Sequence, residues 1–133
     1  MWPVVTDTPS AVQMVMLISA TTMGASHLVQ PGMWNGFFAA LRERGTVGLV
    51  TNGFINSTPG AFIVALHQVW SGPAILLSLF GWLLLLKAAI GLIIPQAGMR
   101  VMRLSRHGNG AFRLAGIGLL VIAAACGFAL AGY

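Results

Sequence analysis

The stretch AILLSLFGWLLLLKAAIGLIIP, residues 74–95, contains one charged side chain, that of Lys87, before Pro95 ends it. A helix needs about 20 mainly apolar residues to cross the hydrocarbon core of a bilayer, and residues 74–94 supply them. Three further stretches are apolar over a similar length: residues 9–30, 46–70 and 114–133. The sequence therefore predicts an all-α membrane protein whose single domain, residues 1–133, crosses the bilayer four times.

The composition of the whole chain agrees with this prediction. Hydrophobic residues make up 57% of the 133 residues and charged residues only 7%, whereas an ordinary soluble domain has about 25% charged residues. So few charges cannot cover the surface of a water-soluble globule, so that class is excluded. The net charge of +5 comes from basic residues placed between apolar runs. This placement is typical of membrane topology, so we expect membrane lipid as a partner and no nucleic acid.

Two connections between the spans are amphipathic and too short to cross the bilayer. Residues 31–45 read PGMWNGFFAALRERG, with aromatic side chains at helical spacing ahead of a charged end, and residues 96–113 are basic. Such segments lie in the headgroup plane, so we expect two interfacial helices. Six of the seven basic residues fall in these connections. The positive-inside rule therefore predicts that both connections lie in the cytoplasm and that both termini lie on the opposite side of the membrane.

Two histidines lie inside predicted spans. The orientation of the spans places His27 near the cytoplasmic face and His67 near the outer face, with their rings on the order of 20 Å apart. One haem cannot bridge them within a monomer. Each imidazole could separately ligate a chlorophyll-type pigment or a haem, because neutral imidazole is a common metal ligand. The alternative is that each histidine donates a hydrogen bond to a neighbouring helix or a headgroup.

Lys87 is the only charged residue inside a predicted span. Charged residues within spans are costly and usually have a partner or a function. The only acidic residue on the same side of the membrane is Glu43, so we expect a Lys87–Glu43 ion pair that docks the first interfacial helix against the third span. The alternative is that the lysine snorkels to lipid phosphate.

The second and fourth spans carry residues suited to packing against other helices. Asn52 and Asn56 are four residues apart and share a helical face, which predicts an interhelical hydrogen bond. Gly116 and Gly118 belong to a small-residue face on the fourth span, which favours close helix packing. Two tryptophans are further candidates for interaction with the membrane interface, where this residue type is enriched: Trp34 and Trp70.

Several motifs together resemble a known group of proteins. The stretch HQVWSGP at residues 67–73 is followed by GWLLLLK at residues 81–87 and by Pro95, and FFAALRERG precedes them. This pattern resembles uncharacterised small four-helix bacterial inner-membrane proteins, over residues 31–95. The resemblance implies a four-helix inner-membrane protein and brings no established activity.

The leading functional prediction is a non-catalytic accessory or assembly subunit that packs on a larger membrane complex of respiratory or photosynthetic type. The spans contain no Asp or Glu, and the chain has no hydrolase, metalloprotease or nucleotide-binding motif, so an enzyme is not expected. One alternative is a pigment- or haem-binding protein that uses His27 or His67. The other is a homo-oligomeric channel or transporter, its path lined by Asn52, Asn56 and Lys87.

Overall fold

The computed structural model describes residues 5–104 and 108–133, and every regular element within these ranges is a helix. In chain order the helices are α1 (Thr8–Val29), α2 (Pro31–Glu43), α3 (Thr46–Leu66), α4 (Ile75–Ile93), α5 (Pro95–Leu104) and α6 (Asn109–Leu130). Four of them, α1, α3, α4 and α6, are long and apolar enough to cross a membrane. The prediction of an all-α, multi-pass membrane protein is therefore confirmed.

The bounds of α1 and α4 lie within one residue of those predicted for the first and third spans, and the bounds of α3 and α6 differ more from the prediction. The second span, predicted to reach residue 70, ends at Leu66 because the chain leaves the helix at His67. The fourth span, predicted to begin at residue 114, already begins at Asn109. The predicted basic segment 96–113 is therefore divided between α5 and the start of α6, and its residues 105–107 lie outside the described part of the chain.

The first span begins one residue earlier than the sequence suggested. The N-cap is Asp7, with Thr8 and Pro9 forming the first helical positions. Oδ1 of Asp7 accepts the backbone N–H of Ser10 at 2.9 Å, and Oγ of Ser10 accepts the N–H of Asp7 at 3.0 Å. This reciprocal capping box satisfies two N–H groups at the helix start. The Ser10 backbone N–H, followed by the Ser10 side chain, lowers the pKa of the exposed Asp7 carboxyl.

The four long helices form two antiparallel pairs, α1 with α6 and α3 with α4. Glycines let the paired backbones approach closely, which is the usual way for membrane helices to pack. A Cβ added to Gly116 of α6 would lie 2.8 Å from the carbonyl oxygen of Gly24 in α1. A Cβ added to Gly60 of α3 would lie 2.8 Å from the backbone nitrogen of Leu85 in α4. Each pair therefore crosses at a point where no side chain separates the helices.

Two apolar clusters join the pairs and the short helices. The first cluster draws on all four long helices and contains Val12, Met16, Ile63, Leu77 and Cys126. The second cluster lies where α2 and α5 meet the start of α3 and contains Leu41, Leu49 and Met102. The short helices are thus packed against one end of the bundle, the end at which α1 and α4 finish and α3 begins.

Candidate functional site

A buried polar network lies where α1 begins and α3 ends; we call Gln13, His67 and Ser78 the His67 network. The His67 side chain is fully buried, at 0% exposure. Its Nε2 is 3.0 Å from Nε2 of Gln13, and its Nδ1 is 3.0 Å from Oγ of Ser78. Because the amide nitrogen of Gln13 can only donate, Nε2 of His67 is the acceptor. The proton is therefore on Nδ1, which donates to Ser78.

Ser78 extends this network into the chain that follows α3. Its hydroxyl donates to the carbonyl oxygen of Val69 at 2.7 Å and accepts the Val69 N–H at 3.2 Å. The network therefore links α1, α4 and the segment after α3 through groups that would otherwise be unpaired in an apolar interior. Both ring nitrogens of His67 have protein partners in this structure, which is the hydrogen-bonded arrangement that the sequence allowed as an alternative to a pigment or haem ligand. A ligand at His67 would first have to displace Gln13.

His27 lies near the end of α1 and holds α2 in place. Its Nδ1 donates to the carbonyl oxygen of Met23 at 2.7 Å, and the ring is 7% exposed. The indole of Trp34 stacks on it, with ring centroids 4.2 Å apart and an interplanar angle of 13°. Nε1 of Trp34 also donates to Oγ of Ser26 at 2.8 Å. Nε2 of His27 is the ring nitrogen that the described residues leave for a ligand.

The two histidines lie at opposite ends of the bundle, which agrees with the predicted separation of their rings. His67 is bonded to Gln13, which lies in the second turn of α1, whereas His27 lies in the last turn of that helix. Fourteen residues separate Gln13 from His27, and at about 1.5 Å of rise per residue the rings are about 20 Å apart along the axis. One cofactor therefore cannot bridge both rings.

Near the His27 end of the bundle is a cavity of about 240 Å³, which we call the Lys87 cavity. All six helices contribute to its lining: His27, Phe38, Arg42, Asn52, Lys87, Val101, Met102, Phe112 and Ala115. The ring centroids of Phe38 and Phe112 are 5.7 Å apart and form an aromatic wall. The cavity is thus a place where polar groups from different parts of the chain converge beside apolar walls, as in small-molecule binding sites.

The predicted Lys87–Glu43 ion pair is not formed between these described residues. Glu43 lines a different cavity, which Arg42 also lines, while Lys87 faces the Lys87 cavity. The physical reason is position: both side chains are exposed, and Glu43, as the last residue of α2, lies beside the cavity that Lys87 does not line. Arg42, one residue before Glu43, lines the Lys87 cavity together with Lys87.

A second cavity of about 260 Å³ adjoins the first; we call it the apolar cavity. Asn52 and Lys87 line both cavities, and most of the remaining lining is aliphatic: Leu49, Gly53, Leu83, Leu86, Ala88, Ile90 and Gly91. Asn56 also lines the apolar cavity, and the prediction that it forms an interhelical hydrogen bond is wrong. Nδ2 of Asn56 donates to the backbone oxygen of Asn52 at 2.7 Å and to its Oδ1 at 3.1 Å, within the same helix.

Trp70, the other predicted interaction residue, lies apart from both cavities. It follows α3, its side chain is 50% exposed, and its Nε1 donates to Oε1 of Gln68 at 3.0 Å. Among the residues that the structure describes, no group of three His, Cys, Asp or Glu side chains is placed to hold a metal ion.

Sequence reasoning missed three residues of these sites: Gln13, Ser78 and Arg42. The signal for the first two was present, because each is a polar residue inside an otherwise apolar span and needs a buried partner. Arg42 was counted only as a topology signal in an interfacial helix. Its place in the lining of the Lys87 cavity depends on how α2 packs against the end of the bundle, which local sequence patterns do not specify.

We expect Trp34→Ala to release α2 from α1. The substitution removes the stacking on His27 and the hydrogen bond to Ser26, together worth about 1.5 kcal/mol. Trypsin cleavage at Arg42 and Arg44 in the detergent-solubilised protein should rise about tenfold. Met33→Ala is the control, because Met33 lies in the same helix with 56% of its side chain exposed. Equal cleavage of the two variants would show that the stacked pair does not anchor α2.

Comparison of the chain with known proteins found no matching family model, curated protein or solved structure. The resemblance to small four-helix inner-membrane proteins therefore stays a prediction.

Proposed function

We propose that the protein is a non-catalytic accessory or assembly subunit whose spans pack on other transmembrane subunits of a larger complex, of respiratory or photosynthetic type. The observation that supports this proposal is the outward face of α1. Near the middle of this span, Ser19, Thr22 and Ala25 are all exposed on the side opposite the buried residues. Small and hydroxyl-bearing residues are typical of helix–helix interfaces in membranes, where they permit close approach and interhelical hydrogen bonds.

The two hydroxyl groups on this face differ in what they bond. Oγ1 of Thr22 donates to the carbonyl oxygen of Ile18 at 2.9 Å, within α1. The hydroxyl of Ser19 has no hydrogen-bond partner among residues 5–104 and 108–133. A hydroxyl exposed to hydrocarbon without a partner is unfavourable by about 1–3 kcal/mol. A neighbouring helix that offers an acceptor would remove this cost, which lipid tails cannot do.

The proposed setting is a bacterial inner membrane, with α2 and α5 as interfacial helices on the cytoplasmic side and both termini on the periplasmic side. Arg44, Arg100 and Arg103 are exposed at the bundle end that α2 and α5 cover. Met102 and Met99 of α5 pack against the cluster at α3 instead, so α5 has one basic and one apolar face. This division is what an interfacial helix on an anionic leaflet requires.

The partner proposal is tested by gentle native purification and mass spectrometry of the proteins that co-elute. We expect the wild-type chain to co-elute with other membrane proteins and the double variant Ser19→Leu, Thr22→Leu to lose most of them, because two larger side chains block close approach. Ala124→Leu is the control, since Ala124 is exposed on the different helix α6. A wild-type protein that elutes alone, or a double variant that keeps its partners, would contradict the proposal.

A further inference from the structure

The Lys87 cavity carries two positive charges and no described negative one. Arg42 reaches it from α2 and Lys87 from α4, and neither Asp nor Glu is among its described lining residues. Neither cation has a side-chain ion pair or hydrogen bond within residues 5–104 and 108–133. Two like charges at one small cavity repel each other, and the repulsion grows as the surroundings become less polar. An anion between them would stabilise both.

One further group points to the kind of anion. Oδ1 of Asn52 is occupied by the amide of Asn56 at 3.1 Å, which leaves Nδ2 of Asn52 as a donor at the cavity. A phosphate group has several oxygens that can accept from an arginine, a lysine and an amide together, in strong charge-assisted hydrogen bonds.

The adjoining apolar cavity indicates that the ligand also has an apolar part. It meets the Lys87 cavity at Asn52 and Lys87, so a molecule can extend from one into the other. Leu83 and Leu86 line it and are 63% and 57% exposed, so the cavity opens at the side of the bundle that faces the bilayer. A free phosphate ion would leave this space empty, whereas a lipid fits both parts.

The depth of Lys87 agrees with a lipid headgroup. Lys87 lies six residues before Ile93, the last residue of α4, which corresponds to about 9 Å of helix. A long lysine side chain covers much of such a distance toward the interface. The charged groups of the cavity are therefore at a level that a phosphate can reach from the surrounding leaflet.

We propose that the Lys87 cavity binds the phosphate group of an anionic phospholipid, with one acyl chain of that lipid in the apolar cavity. Arg42 and Lys87 neutralise the phosphate, Asn52 donates to one of its oxygens, and the ring faces of Phe38 and Phe112 exclude water beside it. The site favours anionic over zwitterionic lipids, because the headgroup of a zwitterionic lipid would add a positive charge to the two that the cavity already holds.

The test uses the full chain in detergent, mixed with dioleoylphosphatidylglycerol, and native mass spectrometry to measure the lipid retained. We expect the wild type to retain this lipid and to retain dioleoylphosphatidylcholine at least tenfold less well. Lys87→Gln and Arg42→Gln should each lower the apparent affinity for phosphatidylglycerol about tenfold, the loss of one charge-assisted contact. Lys87→Arg, which keeps the charge, should retain it.

Arg100→Gln is the matched control, because Arg100 is exposed at the same end of the bundle and lines neither cavity. An equal loss in Arg100→Gln would show general attraction to the basic end and would overturn the proposal. Equal retention of the two lipids would also overturn it. Displacement of the lipid by an equal concentration of inorganic phosphate would contradict the role given to the acyl chain.

Discussion

Gly116→Val should lower the free energy of unfolding by about 3 kcal/mol, the upper part of the range for overpacking a close contact. At this residue α6 crosses α1, and an added Cβ would lie 2.8 Å from the Gly24 carbonyl oxygen and 2.9 Å from Cβ of His27. Both neighbours are held rigidly by the helix of α1, so neither can yield as the end of a flexible side chain would. The helices must therefore separate or tilt.

The chain has its own reporter for this effect and its own control. Cys126 is the single cysteine and is 0% exposed in the cluster between the helix pairs, so its reaction with a thiol-reactive dye on heating measures the opening of the bundle. Gly118→Val is the control, since an added Cβ there has nothing within 4 Å. We expect a clearly lower labelling temperature for Gly116→Val and little change for Gly118→Val. Similar temperatures for both variants would contradict the Gly24–Gly116 crossing.

His67→Leu should have the second largest effect and lower the free energy of unfolding by about 2–3 kcal/mol. Leucine fills similar space, but the amide nitrogen of Gln13 then lacks its acceptor in an apolar interior, and leaving such a group unpaired is more costly than losing the bond itself. The hydroxyl of Ser78 keeps its bonds to Val69, so the loss is concentrated on Gln13. Unfolding is followed by the same labelling of Cys126.

A double variant separates the hydrogen bond from the packing. In Gln13→Leu, His67→Leu both polar partners are absent, and we expect at least half of the lost stability to return, because replacing a buried pair with apolar groups can be nearly neutral. Trp70→Leu, at an exposed residue beyond the network, serves as the control. If the double variant is less stable than His67→Leu alone, the Gln13 contact does not carry the effect.

The number and type of the spans could be predicted because hydrophobicity alone determines which segments cross a membrane. The ends of the spans were harder to place. α3 stops at Leu66 because His67 leaves the helix to bond Gln13 and Ser78, residues far from it in sequence. α1 starts at Thr8 because the carboxylate of Asp7, the residue before it, forms a reciprocal pair with Ser10.

For the candidate site, the sequence identified individual residues but not the contacts between them. Lys87 and Asn52 were conspicuous as polar residues in apolar spans, and both line the cavities. The predicted contacts of both residues are wrong. Opposite charge suggested Glu43 as the partner of Lys87, and the spacing of Asn52 and Asn56 suggested a hydrogen bond to another helix. Arg42 lines the same cavity as Lys87 because of the position of α2 at the end of the bundle. There Gly48 of α3 packs directly on the backbone of Leu41. Such a close approach follows from the packing of the whole bundle.

The proposed role of α2 and α5 as cytoplasmic interfacial helices requires that the end of the bundle near Lys87 faces the cytoplasm. Reporter fusions at Tyr133 test this requirement most directly, with a second fusion after Arg44 as the internal comparison. We predict that alkaline phosphatase is active and green fluorescent protein dark at Tyr133, with the reverse after Arg44. Fluorescence at Tyr133 would contradict the orientation, and with it the cytoplasmic placement of His27, Lys87 and the basic helices.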